Sequence, residues 1–162
     1  MSCYGTNGFD MVPYPSTERI QPDKKMAKAL CDSYGGEMST INSYIYYSVM
    51  FADTLPELSE MFEHMAEIEM IHFRLLSESM RRLGVNPAFN LRLSNSPLRE
   101  GEHCAPIEAE RCIERSIQDE CAACEEYRRL AAFTCDSALR DVLERLASDE
   151  EGHRRTLEDF CI

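Results

Sequence analysis

The chain has 162 residues, of which 44% are hydrophobic, so it is long enough to bury the core of one domain. Its formal net charge of −12 at pH 7 argues against a nucleic-acid partner, because a phosphate backbone requires a basic surface. The charge suits a small neutral substrate or a cation, and no apolar run reaches the roughly 18 residues that a membrane-spanning helix needs.

The first 22 residues are predicted to form an extended arm, and residues 23–162 to form the folded domain. Glycine and proline recur in the arm among isolated apolar residues, which need a surface to lie on. The arm starts with a polar stretch that no apolar run follows, so the pattern of a secretory signal is absent. We therefore expect a cytoplasmic protein.

A helical pattern runs from Asp23, a candidate N-cap, to about Asp53. Its apolar stripe advances in alternating steps of three and four residues, and it contains one acidic residue, Glu37. Gly35 and Gly36 come just before this glutamate, where each glycine costs a helix about 1 kcal/mol. We therefore expect a close approach of another backbone, or a local bend, at the two glycines.

The second helix is predicted to begin at residues 54–57 (Thr-Leu-Pro-Glu), which combine a capping box with an early proline. It runs to about residue 83 and ends at Gly84. Its apolar stripe includes Glu69 and His72, which share a face because residues i and i+3 lie on the same side of a helix. The short link makes the first two helices antiparallel neighbours.

Residues 85–105 are rich in turn formers and show no sustained period, yet they are numerous enough to cross the length of a bundle. A third helix follows over about residues 106–134, with Glu120 in its stripe. The fold class is therefore all-α, a four-helix bundle with a long connection between the second and third helices.

The fourth helix repeats the glutamate and histidine pair of the second. Residues 135–137 form a short turn with Asp136 as the candidate N-cap, and the helix extends to about Phe160. Glu150 and His153 lie three residues apart in its apolar stripe, so they also share the buried face.

Each predicted helix has a glutamate within about two residues of its midpoint. Helices packed along one bundle axis bring their midpoints into one layer, whichever way they run. Buried carboxylates need a compensating cation. We therefore predict a site for two metal ions. Its six ligands are Glu37, Glu69, His72, Glu120, Glu150 and His153.

The composition of this set indicates its chemistry. Two divalent cations balance four carboxylates and two neutral imidazoles, and oxygen and imidazole ligands suit iron or manganese, although zinc also accepts them. Glu69 and Glu150 are the expected bridging ligands. Bridged metals lie a few Å apart and act together on one small oxygen species, so the four glutamates are assigned to catalysis.

Other residues were weighed against these six. A single Glu-x-x-His is usually an ordinary polar pair on a helix surface, but two such pairs in apolar stripes favour a metal site. The weaker candidates lie off or beside the stripes, or in the long connection: Glu114, Asp119, Glu125, His64 and His103.

Cysteine and tyrosine are also prominent. The 8 cysteines are expected to be thiols, since no secretory signal is present. Cys121 and Cys124 form the single C-x-x-C spacing, for which packing on a helix is favoured over a redox or metal-sensing role. Tyr34, Tyr44 and Tyr127 lie on inward stripes, where core packing is favoured over a hydrogen bond to a metal ligand.

At these residues the sequence resembles the ferritin-like superfamily, in particular the branch that holds rubrerythrins and manganese catalases. The resemblance covers roughly residues 23–160. It is carried by Gly36-Glu37, by Glu69-Met-Ile-His72 followed by Leu83-Gly84-x-Asn-Pro87, by Glu120 seven residues before Tyr127, and by Glu150-Glu-Gly-His153. It implies that the helices of Glu37 and Glu120 each contribute one glutamate ligand. The other two helices each contribute a pair, Glu69 with His72 and Glu150 with His153. Members use iron or manganese to reduce or disproportionate hydrogen peroxide, or to oxidise ferrous iron.

The sequence departs from classical rubrerythrins in two ways. The paired C-x-x-C motifs of a rubredoxin domain are missing, and the third helix has Ile117, Ala123 and Cys124 where an additional carboxylate is expected. Both departures favour the manganese-catalase side. We therefore expect a homo-oligomeric oxidoreductase that consumes peroxide. A ferroxidase that feeds an iron store is the first alternative, and a structural coat-type assembly protein is the second.

Overall fold

The computed structural model describes residues 13–88 and 108–160, and within these ranges it contains helices but no strand. This confirms the all-α prediction. The helices are α1 (Lys24–Ala29), α2 (Cys31–Phe51), α3 (Pro56–Arg82), α4 (Ala109–Phe133) and α5 (Ser137–Glu158).

The predicted first helix is divided into α1 and α2 at Leu30. The backbone there stays in the right-handed region, with φ −80° and ψ −11°. The hydrogen bond from the Leu30 amide to the Met26 carbonyl (3.1 Å) and that from the Tyr34 amide to the Leu30 carbonyl (3.0 Å) both form. The division is therefore one loosened turn in an otherwise continuous path.

The two glycines of α2 do not have the role expected of them. The helix continues through Gly35 and Gly36, and a Cβ placed on either would meet no atom within 4 Å. The expected close approach of another backbone is therefore wrong, and the interruption of the helix lies earlier, at Leu30. Gly36 instead borders a cavity.

Three of the predicted helix ends form as their residue types require. Asp23 Oδ1 accepts hydrogen bonds from the amides of the first turn of α1, and Asp136 Oδ1 accepts one from the Leu139 amide (3.0 Å). Gly84 has φ +93° just after α3, and the following Val85 amide donates to the Met80 carbonyl at 3.1 Å. This left-handed glycine closes the helix and satisfies a terminal carbonyl.

The capping box predicted at residues 54–57 is not formed. Leu55 occupies the N-cap of α3 and no side chain caps the helix, although Pro56 takes its expected place in the first turn. The Thr54 and Leu55 amides both donate to the Phe51 carbonyl, at 3.1 and 2.8 Å. These two bonds tie the link to the end of α2, and they involve amides that precede α3, so the first turn of α3 is left without a side-chain cap.

The helices form two antiparallel hairpins, α2–α3 and α4–α5, which pack into one four-helix bundle. The starts of α3 and α4 share one hydrophobic cluster, which includes Leu58 and Ile113. The long connection therefore joins the end of α3 to the start of α4 at the opposite end of the bundle, as the sequence predicted.

The core consists of two hydrophobic clusters with a polar layer between them. One contains Leu76 and Leu143, and the other contains Leu58 and Phe62, all with an exposed fraction of 0%. Between these clusters the buried residues at the helix middles are charged or polar. The bundle therefore holds a polar layer at mid-depth between two apolar clusters.

Residues 13–22 contain no helix or strand and lie against the bundle. Thr17 Oγ1 donates to Glu78 Oε2 (3.1 Å), and the Gln21 amide donates to Asp136 Oδ2 (2.8 Å). The rest of the predicted arm lies outside the described residues. No helix in the described part of the chain is both long and apolar enough to cross a membrane.

Candidate metal centre

The polar layer gathers all six residues that the sequence nominated as ligands. They form two overlapping groups, in each of which the ligand atoms lie within 4.8 Å of one another. None of the six has an exposed fraction above 5%. The first group is Glu37, Glu69, His72 and Glu150, and the second is Glu69, Glu120, Glu150 and His153.

Glu69 and Glu150 belong to both groups, and each offers one oxygen to each histidine. Glu69 Oε2 lies 3.0 Å from His72 Nδ1, and its Oε1 lies 2.9 Å from His153 Nδ1. Glu150 repeats this arrangement, with Oε1 at 3.1 Å from His72 Nδ1 and Oε2 at 3.2 Å from His153 Nδ1. Two carboxylates that each have one oxygen near His72 and one near His153 have the arrangement of ligands that bridge two metal ions.

Glu37 and Glu120 each belong to only one of the two groups. Glu37 Oε2 lies 3.9 Å from His72 Nδ1, and Glu120 Oε2 lies 3.5 Å from His153 Nδ1. The two imidazole ring centres are 5.9 Å apart. Each hairpin therefore contributes two carboxylates and one imidazole.

The hydrogen bonding of this cluster tests whether it fits metal ions. Within the described residues, Glu69 Oε1, both carboxylate oxygens of Glu150 and both ring nitrogens of His153 are buried without a hydrogen-bond partner. Their close contacts to one another lack hydrogen-bond direction. Buried polar atoms are rarely left unpaired, and such atoms call for a partner. Convergent lone pairs of oxygen and nitrogen suit a divalent cation at each position.

Burial and mutual repulsion change the pKa values of the carboxyl groups. Burial, followed by the charges of Glu69 and Glu150, raises the pKa of Glu37 well above its usual range. Burial and Glu150 also raise the pKa of Glu120. Without a cation, these two carboxyl groups therefore bind protons more tightly than ordinary glutamates do.

The two histidines also bind protons more tightly when no metal is bound. Burial lowers the pKa of His72, but Glu150 and Glu69 outweigh it and hold the pKa well above its usual value. Burial likewise lowers the pKa of His153, while Glu120 and Glu69 raise it by more. Metal ions that bind these groups therefore compete with protons.

Asp149 is a functional candidate that the sequence reasoning missed. Its Oδ2 lies 3.2 Å from His72 Nε2, and its Oδ1 accepts a hydrogen bond from Arg145 Nε at 2.9 Å. Tyr14 covers this pair, with Arg145 Cζ 4.1 Å from its ring centre. A carboxylate behind a ligating imidazole fixes the ring and raises its basicity. The signal that could have revealed Asp149 is its place directly before Glu150.

Tyr44 connects the cluster to the wall of the bundle. Its hydroxyl donates a hydrogen bond to Glu120 Oε1, and burial followed by the Glu120 charge raises the pKa of Tyr44 well above its usual value. Tyr44 thus both packs in the core and holds a candidate ligand. Tyr34 instead donates to the Pro87 carbonyl at 2.7 Å. Tyr127 is a packing residue with an exposed fraction of 1%.

A cavity of about 600 Å³ lies between α2 and α4 and reaches the cluster. All four glutamates of the cluster border it. Its walls are formed mainly by small and hydroxyl-bearing residues of the two helices. These include Ser33, Gly36, Thr40, Ser43, Ser116 and Ala123.

The remaining sequence candidates lie away from the cluster. Cys124 is buried and its thiol donates to the Ala147 carbonyl at 3.3 Å, while Cys121 is half-buried and free, which agrees with packing on a helix. His103 lies outside the described residues. The other four weaker ligand candidates are exposed: His64, Glu114, Asp119 and Glu125.

Comparison with known proteins places this cluster in a family. The family model described as Rubrerythrin matches residues 28–161, nearly the whole chain. The chain belongs to the rubrerythrin family. The match spans all six clustered residues, and membership together with the carboxylate and histidine cluster indicates a two-metal carboxylate centre.

A solved structure supports the same fold for this rubrerythrin. It is the bacterioferritin-related protein from Bacteroides fragilis, described as a dodecameric thioferritin, with a TM-score of 0.70 and 18% sequence identity. The similarity covers 88% of each chain. No curated protein matches the sequence. The ferritin-like bundle predicted from the sequence is confirmed.

Proposed function

We propose that this rubrerythrin is an oxidoreductase that consumes hydrogen peroxide at a pair of iron or manganese ions. The observation that carries the proposal is the placement of Glu69 and Glu150, each with one oxygen toward His72 and one toward His153. Carboxylates placed in this way would hold two metal ions, which would supply the electron exchange that peroxide consumption requires.

The residues around the site have distinct roles in this proposal. Bound iron or manganese supplies the exchange of electrons. The six clustered residues hold the ions, and the four glutamates also border the cavity, so they face an arriving peroxide. Tyr44 holds Glu120 in place through its hydrogen bond, and Asp149 holds the His72 ring. All six residues are buried, so an arriving peroxide reaches them through the cavity.

The reaction can be complete with peroxide alone. One molecule of hydrogen peroxide accepts two electrons and two protons, its O–O bond breaks, and two waters form. A second molecule supplies those electrons and protons and leaves as dioxygen. This is catalase chemistry. With an external reductant in place of the second peroxide, the same site acts as a peroxidase.

Oxygen evolution tests the proposal. Manganese-loaded protein is expected to release oxygen from hydrogen peroxide without added reductant, as measured with an oxygen electrode. Glu120→Ala removes a candidate ligand and is expected to abolish the release. Glu114→Ala is the matched control, because Glu114 is an exposed glutamate of the same helix. Equal oxygen release by the two variants would contradict a role for Glu120.

Ferrous iron oxidation with storage is the second candidate. It is favoured by the structural similarity to a protein described as a dodecameric thioferritin. If neither metal form consumes peroxide, while ferrous iron is oxidised and retained in large excess over two per chain, storage replaces peroxide consumption. A coat-type assembly protein would bind metal and gain stability from it, but would show neither activity.

The assembly state helps to separate these functions. We propose a homo-oligomer in the cytoplasm, with a small molecule and no nucleic acid as its partner. Ile45, Tyr46 and Val49 leave 46%, 46% and 69% of their surface exposed on one side of α2, an apolar area that a second copy would cover. Analytical ultracentrifugation distinguishes a dimer or hexamer, which suits peroxide consumption, from a hollow shell that stores iron.

A further inference from the structure

The cavity between α2 and α4 is much larger than hydrogen peroxide requires. A water molecule occupies about 30 Å³ in the liquid, and a peroxide needs about twice that. The cavity of about 600 Å³ is in the range of pockets that hold organic ligands, which is roughly 300–1,000 Å³. The volume thus leaves space beside the cluster for a substituent on the peroxide.

The residues of α2 that face the cavity keep this space open. Gly36 borders the cavity, and a Cβ at this position would meet no atom within 4 Å. Close packing against a neighbour therefore does not require glycine here. A glycine inside a helix costs about 1 kcal/mol relative to alanine. Ser33, Thr40 and Ser43 continue the same wall with small polar side chains. Glycine at position 36 therefore leaves open a space that a side chain would narrow.

The cavity is continuous from solvent to the cluster. Arg115 and Arg129, with 70% and 60% of their side chains exposed, border its outer part. Each is paired within its own helix, Arg115 with Asp119 at 3.1 Å and Arg129 with Glu126 at 2.6 Å. Asp32 and the four glutamates of the cluster also border the cavity, so its lining is acidic and disfavours an anionic substituent.

The inner end of the cavity presents groups that lack partners. Glu69 and Glu150 border it, and Glu69 Oε1 and both oxygens of Glu150 are buried without a hydrogen bond in the described part of the chain. The peroxide group of a substrate would lie at this end. A substituent would lie between α2 and α4, beside Gly36 and Thr40.

We propose that the cavity admits organic hydroperoxides with a short or polar substituent, and that Gly36 sets the size of the substituent. The inference rests on the proposed peroxide chemistry. In the balanced reaction the O–O bond of the organic hydroperoxide breaks, and an alcohol and water form. The two electrons and two protons come from one hydrogen peroxide, which leaves as dioxygen.

The test uses tert-butyl hydroperoxide and hydrogen peroxide with the manganese-loaded and iron-loaded protein. Wild type is expected to form tert-butanol, measured by NMR. Gly36→Leu adds four carbon atoms to the cavity wall and is expected to lower tert-butanol formation by about tenfold or more, since a pocket discriminates roughly 10–200-fold per methylene. The ratio of tert-butanol formation to oxygen release from hydrogen peroxide alone should therefore fall in this variant.

Gly35→Leu is the matched control. Gly35 lies in the same helical turn and its Cβ would also meet nothing within 4 Å, but it does not border the cavity. Both substitutions therefore gain the same helix propensity. Gly35→Leu is expected to leave both reactions unchanged. An equal loss in both variants would overturn the role of Gly36.

Binding provides a readout that does not depend on turnover. Saturation-transfer NMR should detect tert-butanol on the metal-free wild type and on Gly35→Leu, and the signal should be lost with Gly36→Leu. Release of oxygen from hydrogen peroxide without any tert-butanol formation would overturn the inference and leave the proposed function intact. Failure to consume either peroxide would overturn both.

Discussion

His72 Nε2 and Asp149 Oδ2 lie 3.2 Å apart, and the two residues come from different hairpins of the bundle. His72 therefore directs its other ring nitrogen, Nδ1, toward the carboxylates Glu69 and Glu150. The exposed fraction is 0% for His72 and 2% for Asp149. This contact fixes which nitrogen is offered to a metal.

Asp149→Asn is expected to weaken metal binding. The substitution keeps the shape of the side chain but removes the charge behind His72, so the imidazole becomes a poorer ligand. Loss of such a partner typically costs about 10–100-fold in metal affinity. A titration against a competing chelator measures the change. Asp141→Asn, at an exposed position of the same helix, should bind metal as wild type does; equal affinities for all three proteins would contradict the role of Asp149.

His72→Ala or Glu150→Ala is expected to lower the melting temperature of the metal-loaded protein. A ligand present at 100 times its dissociation constant stabilises the folded state by about 2.7 kcal/mol, which corresponds to roughly 5–10 °C for a chain of this size. Each variant should lose much of that gain and one metal per chain. The control is His64→Ala on the same helix, where the histidine side chain is 54% exposed. Full metal content with an unchanged melting temperature would exclude the substituted residue as a ligand.

Metal affinity is expected to rise with pH. The pKa values of His72, His153, Glu37 and Glu120 all lie above their usual range in the metal-free layer, so incoming cations displace protons from these groups. Lower pH strengthens this competition and weakens binding. Calorimetry in two buffers of different ionisation enthalpy counts the protons that are released when metal binds. These four groups set an upper limit of four protons per chain.

The proton count also has a direct control. His153→Ala should reduce the number of protons released, whereas His64→Ala should not change it, because His64 is exposed and lies outside the cluster. Metal binding with no proton release, and with an affinity that does not change with pH, would contradict the raised pKa values of these groups.

Tyr44→Phe is expected to destabilise the metal-free protein by about 1–3 kcal/mol, because it leaves a buried oxygen of Glu120 without its donor. Urea unfolding measures the loss. Tyr46→Phe is the matched control two residues further along α2, where the side chain is 46% exposed. If both substitutions have the same small effect, the hydrogen bond contributes little to the stability of the bundle.

The sequence was sufficient to predict the features that depend on one helix at a time. The apolar stripes located the four long helices, and their midpoints brought Glu37, Glu69, Glu120 and Glu150 into one layer. This worked because helix geometry alone places residues i, i+3 and i+4 on one face. The sharp ends at Gly84 and at Asp136 followed from residue type.

The features that depend on two segments could not be predicted in this way. Asp149 is buried because His72 lies opposite it on another helix, and periodicity within α5 does not reveal that partner. Gly36 was assigned a close contact, whereas it faces open space between α2 and α4. The link at Leu55 likewise joins two segments, because the Thr54 and Leu55 amides donate to Phe51 at the end of α2.

The equal division of ligands between the hairpins gives the layer an approximate twofold symmetry, which fails at one pair of positions. Asp149 directly precedes Glu150, and the equivalent residue before Glu69 is Ile68. His153 Nε2 accordingly has no hydrogen-bond partner in the described part of the chain, whereas His72 Nε2 faces a carboxylate. The two metal positions thus have matching ligands and unequal surroundings. Two different metals supplied together should therefore sort between the two positions, with the stronger Lewis acid at the position beside His72.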